Sequence, residues 1–310
     1  QQSATAGARV APATAAQGRM PTAGIVLAVY GKGGTGKSTV TVNLATYLHR
    51  LGIRTLVVGF DVPDAVGIQL GLPPTPNMYD WFRAPSPATL MEAIVHPKDT
   101  TLPDILLSPN DARAASTIAY TDFIDRLGAT VRETAAEQAQ ITPSVAAELA
   151  EGAALSAASG TNGRIGKLVD AIRMLPRPYT AIVMDLPPTL ANDWALIPVR
   201  HANAVLLVAE PSYTDQVNVA HAIATLTGEQ TFHIPEAAIY MLLNRVKASD
   251  PMDGKQMQEG ISAAVQRLTG HAFAPPLLAS ILDSDTVRQL QIRFRPVIDK
   301  DETVRQAMHA

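Results

Sequence analysis

Short runs of β-branched and aliphatic residues recur along the chain, and stretches with helical spacing separate them. Ile25–Val29 is the first such run. After it, Val40, Leu44, Tyr47 and Leu48 fall at the spacing of one helix face. Arg54–Asp61 reads as a second buried strand that ends on a carboxylate. Tyr79–Phe82 and Leu90–Val95 predict a helix pair, with Trp81 and Phe82 in the core rather than on a contact surface. Ile105–Pro109 predicts another strand. Ile165–Leu175 is an amphipathic helix, and Tyr179–Asp185, Ala204–Ala209 and Ala238–Arg245 are strands, with a helix from Asp215 onward before the last of them. Strands apolar on both faces, alternating with helices, predict an α/β fold: a doubly wound, mostly parallel sheet flanked by helices. Its ligand site belongs at the carboxyl edge of the strands.

Two stretches depart from this rhythm. Residues 1–22 are rich in Ala, Gln, Thr and Gly without periodicity and read as a disordered leader or linker. Residues 112–165 are rich in Ala, Thr and Glu. Phe123, Leu127 and Val131, then Val145, Leu149 and Leu155, predict two or three helices or a partly mobile insertion. Ala-rich faces of that kind pack within their own chain or against a partner. Residues 23–310 otherwise read as one domain.

Composition narrows the classes. With 310 residues, 47% of them hydrophobic, the chain can bury the core of one large α/β unit. A net charge of −3, with both signs spread along the chain, argues against a grossly basic nucleic-acid binder but leaves room for a local basic face. The absence of cysteine excludes disulfides, thiolate zinc sites and an iron–sulfur cluster. No run approaches the roughly 18 apolar residues of a membrane span. The first residues lack a signal-peptide core, so a cytoplasmic location is expected.

The chemistry begins at Gly31-x-x-x-x-Gly36-Lys37-Ser38, a phosphate-binding pattern set between a predicted strand and a predicted helix. Glycines let backbone N–H groups turn toward phosphate oxygens, and the new helix points its positive end at the same charge. Lys37 is expected to reach the β- and γ-phosphates, and the Ser38 hydroxyl to ligate Mg²⁺. Lys32 is a second cation inside the turn, where a phosphate loop needs no other. Asp61, at the next strand tip, is either a solvated loop residue or a group that holds a Mg²⁺ water and orients the attacking water. Asp185 offers a second Mg²⁺-directing carboxylate, and Asn244 an amide able to read a base edge. Ser108 marks a further tip.

Lys32-Gly33-Gly34-Thr35-Gly36-Lys37-Ser38-Thr39 resembles the deviant Walker A motif of the ParA/MinD superfamily, within the SIMIBI class of P-loop proteins. The resemblance implies that residues 33–39 cradle ATP and that Lys32 reaches a partner subunit's phosphates in a nucleotide-sandwich dimer. It implies that Asp61 is the hydrolytic acid of an Asp-x-Asp pair and that Asn244 contacts the base. Asp185-Leu-Pro-Pro188 is similar to the family's Walker B region, and Leu277–Leu290 resembles the strand and helix that close its sheet. One position departs: Gly59 stands where the first acid of the pair belongs. The nitrogenase iron protein shares that glycine, but its electron-transfer role requires cysteines that this chain lacks. Asp64 is either a substitute for the missing acid or a turn residue after Pro63. Asp185 to Trp194, Val205–Pro211 and Leu243–Val246 look somewhat like the CpaE/TadZ branch of pilus assembly.

These readings predict an ATP- and Mg²⁺-dependent dimerisation switch with slow hydrolysis, in which Lys32, Lys37 and Asp61 act on phosphate and Ser38, Asp61 and Asp185 serve the metal. Its cargo would be DNA, an organelle or secretion machinery. Expected partners are a second copy of the chain, a protein that stimulates hydrolysis and, as one option, nonspecific DNA. The rival is a non-hydrolysing nucleotide-binding scaffold. Arg288, Arg293 and Arg295 read as a solvated helix face or as a surface for DNA phosphates. The chain end lacks a Lys/Phe/Leu-rich amphipathic tail, so direct membrane insertion is not expected.

Overall fold

The computed structural model describes residues 24–109, 111–118, 164–190, 193–228, 234–247, 249–250, 252–292, 295–298 and 300–309. The leader expected at 1–22 lies outside these residues. So does the expected insertion, apart from helical residues 112–118 and the start of the helix at 164.

Eight strands form one sheet: β1 (Ile25–Tyr30), β2 (Thr55–Gly59), β3 (Ile94–Val95), β4 (Asp104–Leu106), β5 (Ala181–Asp185), β6 (Ala204–Ala209), β7 (Ile239–Val246) and β8 (Leu277–Leu282). Their spatial order is β3-β4-β2-β5-β1-β6-β7-β8. Every pairing is parallel except that of β3 with β4. All five residues of β5 are buried, as a central parallel strand requires. Register sets the site: Val29 and Gly59 both pair with Asp185, so the tips of β1, β5 and β2 lie side by side.

Alternate strand residues feed two cores. On one face, Leu56, Val58, Ile182, Met184, Val205 and Leu207 pack with Trp81, Phe82 and Trp194. On the other, Val29, Val57, Val183, Leu206 and Val208 pack against α1 (Lys37–Arg50), α2 (Ala65–Leu70) and α10 (Glu302–His309). Trp81 and Phe82 are thus core residues, as expected. Asn43 in α1 holds the returning chain, accepting N–H bonds from Val297 at 2.7 Å and Ile298 at 2.9 Å.

The helix pair is α3 (Met78–Arg83) and α4 (Pro87–Ala93). Here the structure differs from the expectation of a helix through Val95. The β-branched pair Ile94–Val95 leaves the helix and pairs antiparallel with Leu106 and Ile105, making the sheet's edge strand. Further helices among the described residues include α5 (Arg164–Arg173), α6 (Asp193–Arg200), α7 (Tyr213–Thr227), α8 (Gly254–Thr269) and α9 (Asp285–Ile292).

Candidate functional site

The glycine-rich turn leaves β1 and enters α1 through Gly36, whose left-handed φ of 85° lets the chain start the helix without a side-chain cap. A Cβ at Gly36 would lie 2.4 Å from Asn244 Nδ2, so only glycine admits the amide there. Asn244, from β7, donates to the Thr35 carbonyl at 2.7 Å and props the turn from below. Thr35 Oγ1 donates to the Lys32 carbonyl at 2.9 Å and closes the turn on itself.

Lys37 opens α1 yet is buried, and its Nζ donates to Asp61 Oδ2. The loop after β2 therefore meets the glycine turn in an ion pair. One residue on, Ser38 Oγ donates to Asp185 Oδ2 at 2.7 Å. Thr41 Oγ1 donates to the other oxygen, Asp185 Oδ1, at 3.2 Å. Asp185 has no solvent exposure, and burial pushes its carboxyl up to about 6 despite the nearby Lys37 cation and the two hydroxyls. A carboxylate so placed is charged at neutral pH at a desolvation cost that a further cation would relieve.

Lys32 is half exposed, and its Nζ lies 3.9 Å from Asp215 Oδ1 at the start of α7. Asp215 is buried and also accepts the Glu210 N–H at 2.7 Å. Asp64 is buried as well. It accepts N–H bonds from Gly67, at 2.7 Å, and from Ser108, and burial lifts it to about 6.

Lys37, Ser38, Asp61, Asp185 and Asn244 therefore come together at the carboxyl edge, and Lys32 stands at its rim. Ser108 contributes through its backbone N–H to Asp64 rather than through its hydroxyl. Two residues escaped the sequence reading. Thr41 follows Ser38 by three positions on the same helix face, a spacing that could have flagged it. Asp215 carried no signal beyond its place at a helix start. In the basic cluster, Arg293 falls outside the described residues, and only Arg295 has a described, exposed side chain.

A hydroxyl and a carboxylate are the hard oxygen donors that Mg²⁺ takes in small number alongside water and phosphate. Among the described residues no three His, Cys, Asp or Glu side chains converge as a closed metal site. Also among the described residues, no helix is long and apolar enough to cross a membrane.

Residues 26–297 match the CobQ/CobB/MinD/ParA nucleotide-binding domain family. A curated relative, the chromosome-partitioning ATPase Soj of Thermus thermophilus, is 38% identical over 68 residues; that stretch spans 22% of this chain and 26% of Soj, about a quarter of the relative's length. The septum site-determining protein MinD from Pyrococcus horikoshii, solved with Mg-ADP, superposes with a TM-score of 0.61 at 18% identity over 92% of this chain and 93% of its own. A substituted form of McdA from Cyanothece, solved as an ATP complex, gives a TM-score of 0.61 at 14% identity, covering 92% of this chain and 94% of its own. At such identities the structures speak to the fold, an eight-stranded, mostly parallel sheet with flanking helices.

Proposed function

This chain belongs to the CobQ/CobB/MinD/ParA nucleotide-binding domain family, and on that footing we propose that it is an ATPase switch whose ATP-bound form is a dimer. The observation that carries the reading is the convergence of the Ser38–Asp185 bond and the Lys37–Asp61 pair at the mouth of one glycine turn. The hydroxyl and carboxylate would hold Mg²⁺, which supplies charge neutralisation to the phosphates when bound.

This chain's own residues do the rest. The backbone N–H groups of residues 33–39 and the positive end of α1 bind phosphate oxygens. Lys37 exchanges Asp61 for phosphate. Asp61, released from the lysine, orients the attacking water. One bond to Thr35 leaves the Asn244 amide with donor and acceptor capacity for a base edge, in the cleft it lines with Gly36, Thr39 and Asp283. Lys32, at the rim, swings to a second subunit's phosphates once it leaves Asp215. Nucleotide would then favour the dimer by binding it better than the monomer.

The names of the relatives, a chromosome-partitioning ATPase and a septum site-determining protein, support positioning or partitioning of cargo as the role. We assign the chain that role, with a hydrolysis-stimulating protein as partner and DNA as one option for the matrix. The non-hydrolysing scaffold rests on Gly59 alone; an acid held beside Lys37 at the glycine turn, where a water-orienting group is needed, supports hydrolysis. The test is retention of labelled ATP with and without Mg²⁺, alongside phosphate release. Wild type should bind and turn over slowly, Lys37→Ala should lose both, and binding that ignores Lys37 and Mg²⁺ would refute the site.

A further inference from the structure

Gly59 ends β2 opposite Asp185, on the α1 face of the sheet where Asp185 meets Ser38. The space beyond its α-carbon is filled. A Cβ built there would lie 2.7 Å from Asp64 Oδ2 and 3.2 Å from Asp64 Cγ. The side chain that residue 59 lacks is thus replaced, in position, by a carboxylate arriving from five residues downstream.

That carboxylate is a fastener. It is buried and spans two elements, taking the N–H of Gly67 in the first turn of α2 and the N–H of Ser108 just past β4. Between Gly59 and Asp64 the chain forms a strap that carries Asp61. The near end of the strap is fixed at Phe60, whose N–H donates to the Asp185 carbonyl at 2.8 Å and whose carbonyl accepts Trp194 Nε1–H at 2.6 Å. The far end is fixed by Asp64. Asp61 sits between the two anchors, with its Oδ1 on the Val62 N–H at 3.0 Å and its Oδ2 on Lys37.

We propose that Asp64 is a positioning residue for Asp61, and that glycine at 59 is required because it admits the Asp64 carboxylate. The hydrogen bonds of Asp64 go to α2 and the tip of β4; it acts by holding the strap on which Asp61 is presented. The departure at residue 59 then makes room for a second acid, Asp64, beside the strand tip. This inference rests on the switch reading for its activity readout and on geometry alone for its structural one.

The experiment compares Gly59→Ala, Asp64→Ala, Asp64→Asn and the Gly59→Ala/Asp64→Ala double variant by phosphate release, Mg-ATP affinity and thermal melting. A misplaced Asp61 costs turnover without costing phosphate binding, so kcat should fall about tenfold to hundredfold in either alanine variant while Kd stays within about threefold. Asp64→Asn keeps one of two accepting oxygens and should fall in between. The double variant should be no slower than Asp64→Ala, because both substitutions release the same anchor. Wild-type kcat in the single variants, or losses that multiply in the double one, would overturn the proposal. Gly59→Ala deletes no hydrogen bond and keeps the test valid if Asp64→Ala fails to fold. A wild type with no turnover would refute the switch reading instead. The crystal structure of Gly59→Ala then decides: Asp61 displaced from Lys37 supports the proposal, and Asp61 unmoved contradicts it.

Discussion

Lys32 is held on its own chain, with its Nζ 3.9 Å from Asp215 Oδ1. In the proposed dimer that lysine must let go and cross to the partner's phosphates. The pair is half exposed on the lysine side and looser than a hydrogen bond, so it is worth about 0.2–1 kcal/mol, a factor of up to about five in an equilibrium. Asp215→Asn keeps an oxygen for the Glu210 N–H while removing the charge. We expect it to strengthen ATP-dependent dimerisation by up to about fivefold in sedimentation equilibrium. An unchanged dimerisation constant would show that the contact does not restrain Lys32.

In the proposed switch, Asp61 and nucleotide compete for Lys37. On that reading, removing the carboxylate frees a buried ammonium for phosphate and deletes the group proposed to orient water. Asp61→Ala should therefore bind ATP at least as tightly as wild type and release phosphate slower by about a hundredfold or more. Equilibrium dialysis and a phosphate assay read the two effects separately. Equal phosphate release in both proteins would support the scaffold reading.

Asp185 makes stability depend on pH. Its carboxyl is raised from 3.8 to about 6, so the folded chain holds this proton more strongly than the unfolded chain does. The charged form therefore costs stability, a loss that grows as pH rises from about 4 to about 6 and is complete above that. A shift of that size corresponds to about 3 kcal/mol. Asp185→Asn can still accept from Ser38 and removes the buried charge. We expect its melting temperature, without nucleotide, to exceed that of wild type at pH 7 and to converge with it near pH 4. Magnesium should no longer strengthen its ATP binding. A variant melting below wild type at pH 7 would contradict the assignment of burial as the dominant effect.

How much was legible depended on range. β5 and β6 were visible because parallel strands buried on both faces must be apolar throughout, and their polar tips then stand out. Asp61 and Asp185 were read from that contrast. Ile94–Val95 looks helical in sequence because a two-residue edge strand exists only through its partners in β4, and periodicity cannot register it. The sequence alone cannot separate a turn role from a switch role for Asp64, for a related reason. Its carboxylate is defined by the missing side chain of Gly59 and by the N–H of Ser108, a residue on another strand's tip. Asp215 was invisible because only the fold brings the start of α7 to Lys32. Local chemistry was written in the motifs; the restraints on it were written in the topology.

Completion of the site by a second copy of the chain is what separates a dimerisation switch from a monomeric nucleotide binder. Light scattering coupled to gel filtration distinguishes the two, using Asp61→Ala with Mg-ATP to prevent turnover. The switch requires a particle of twice the 32.9 kDa chain mass, reverting to a monomer with ADP or when Lys32→Ala is added. An ATP-saturated protein that stays at the single-chain mass, or a dimer indifferent to Lys32, would contradict it.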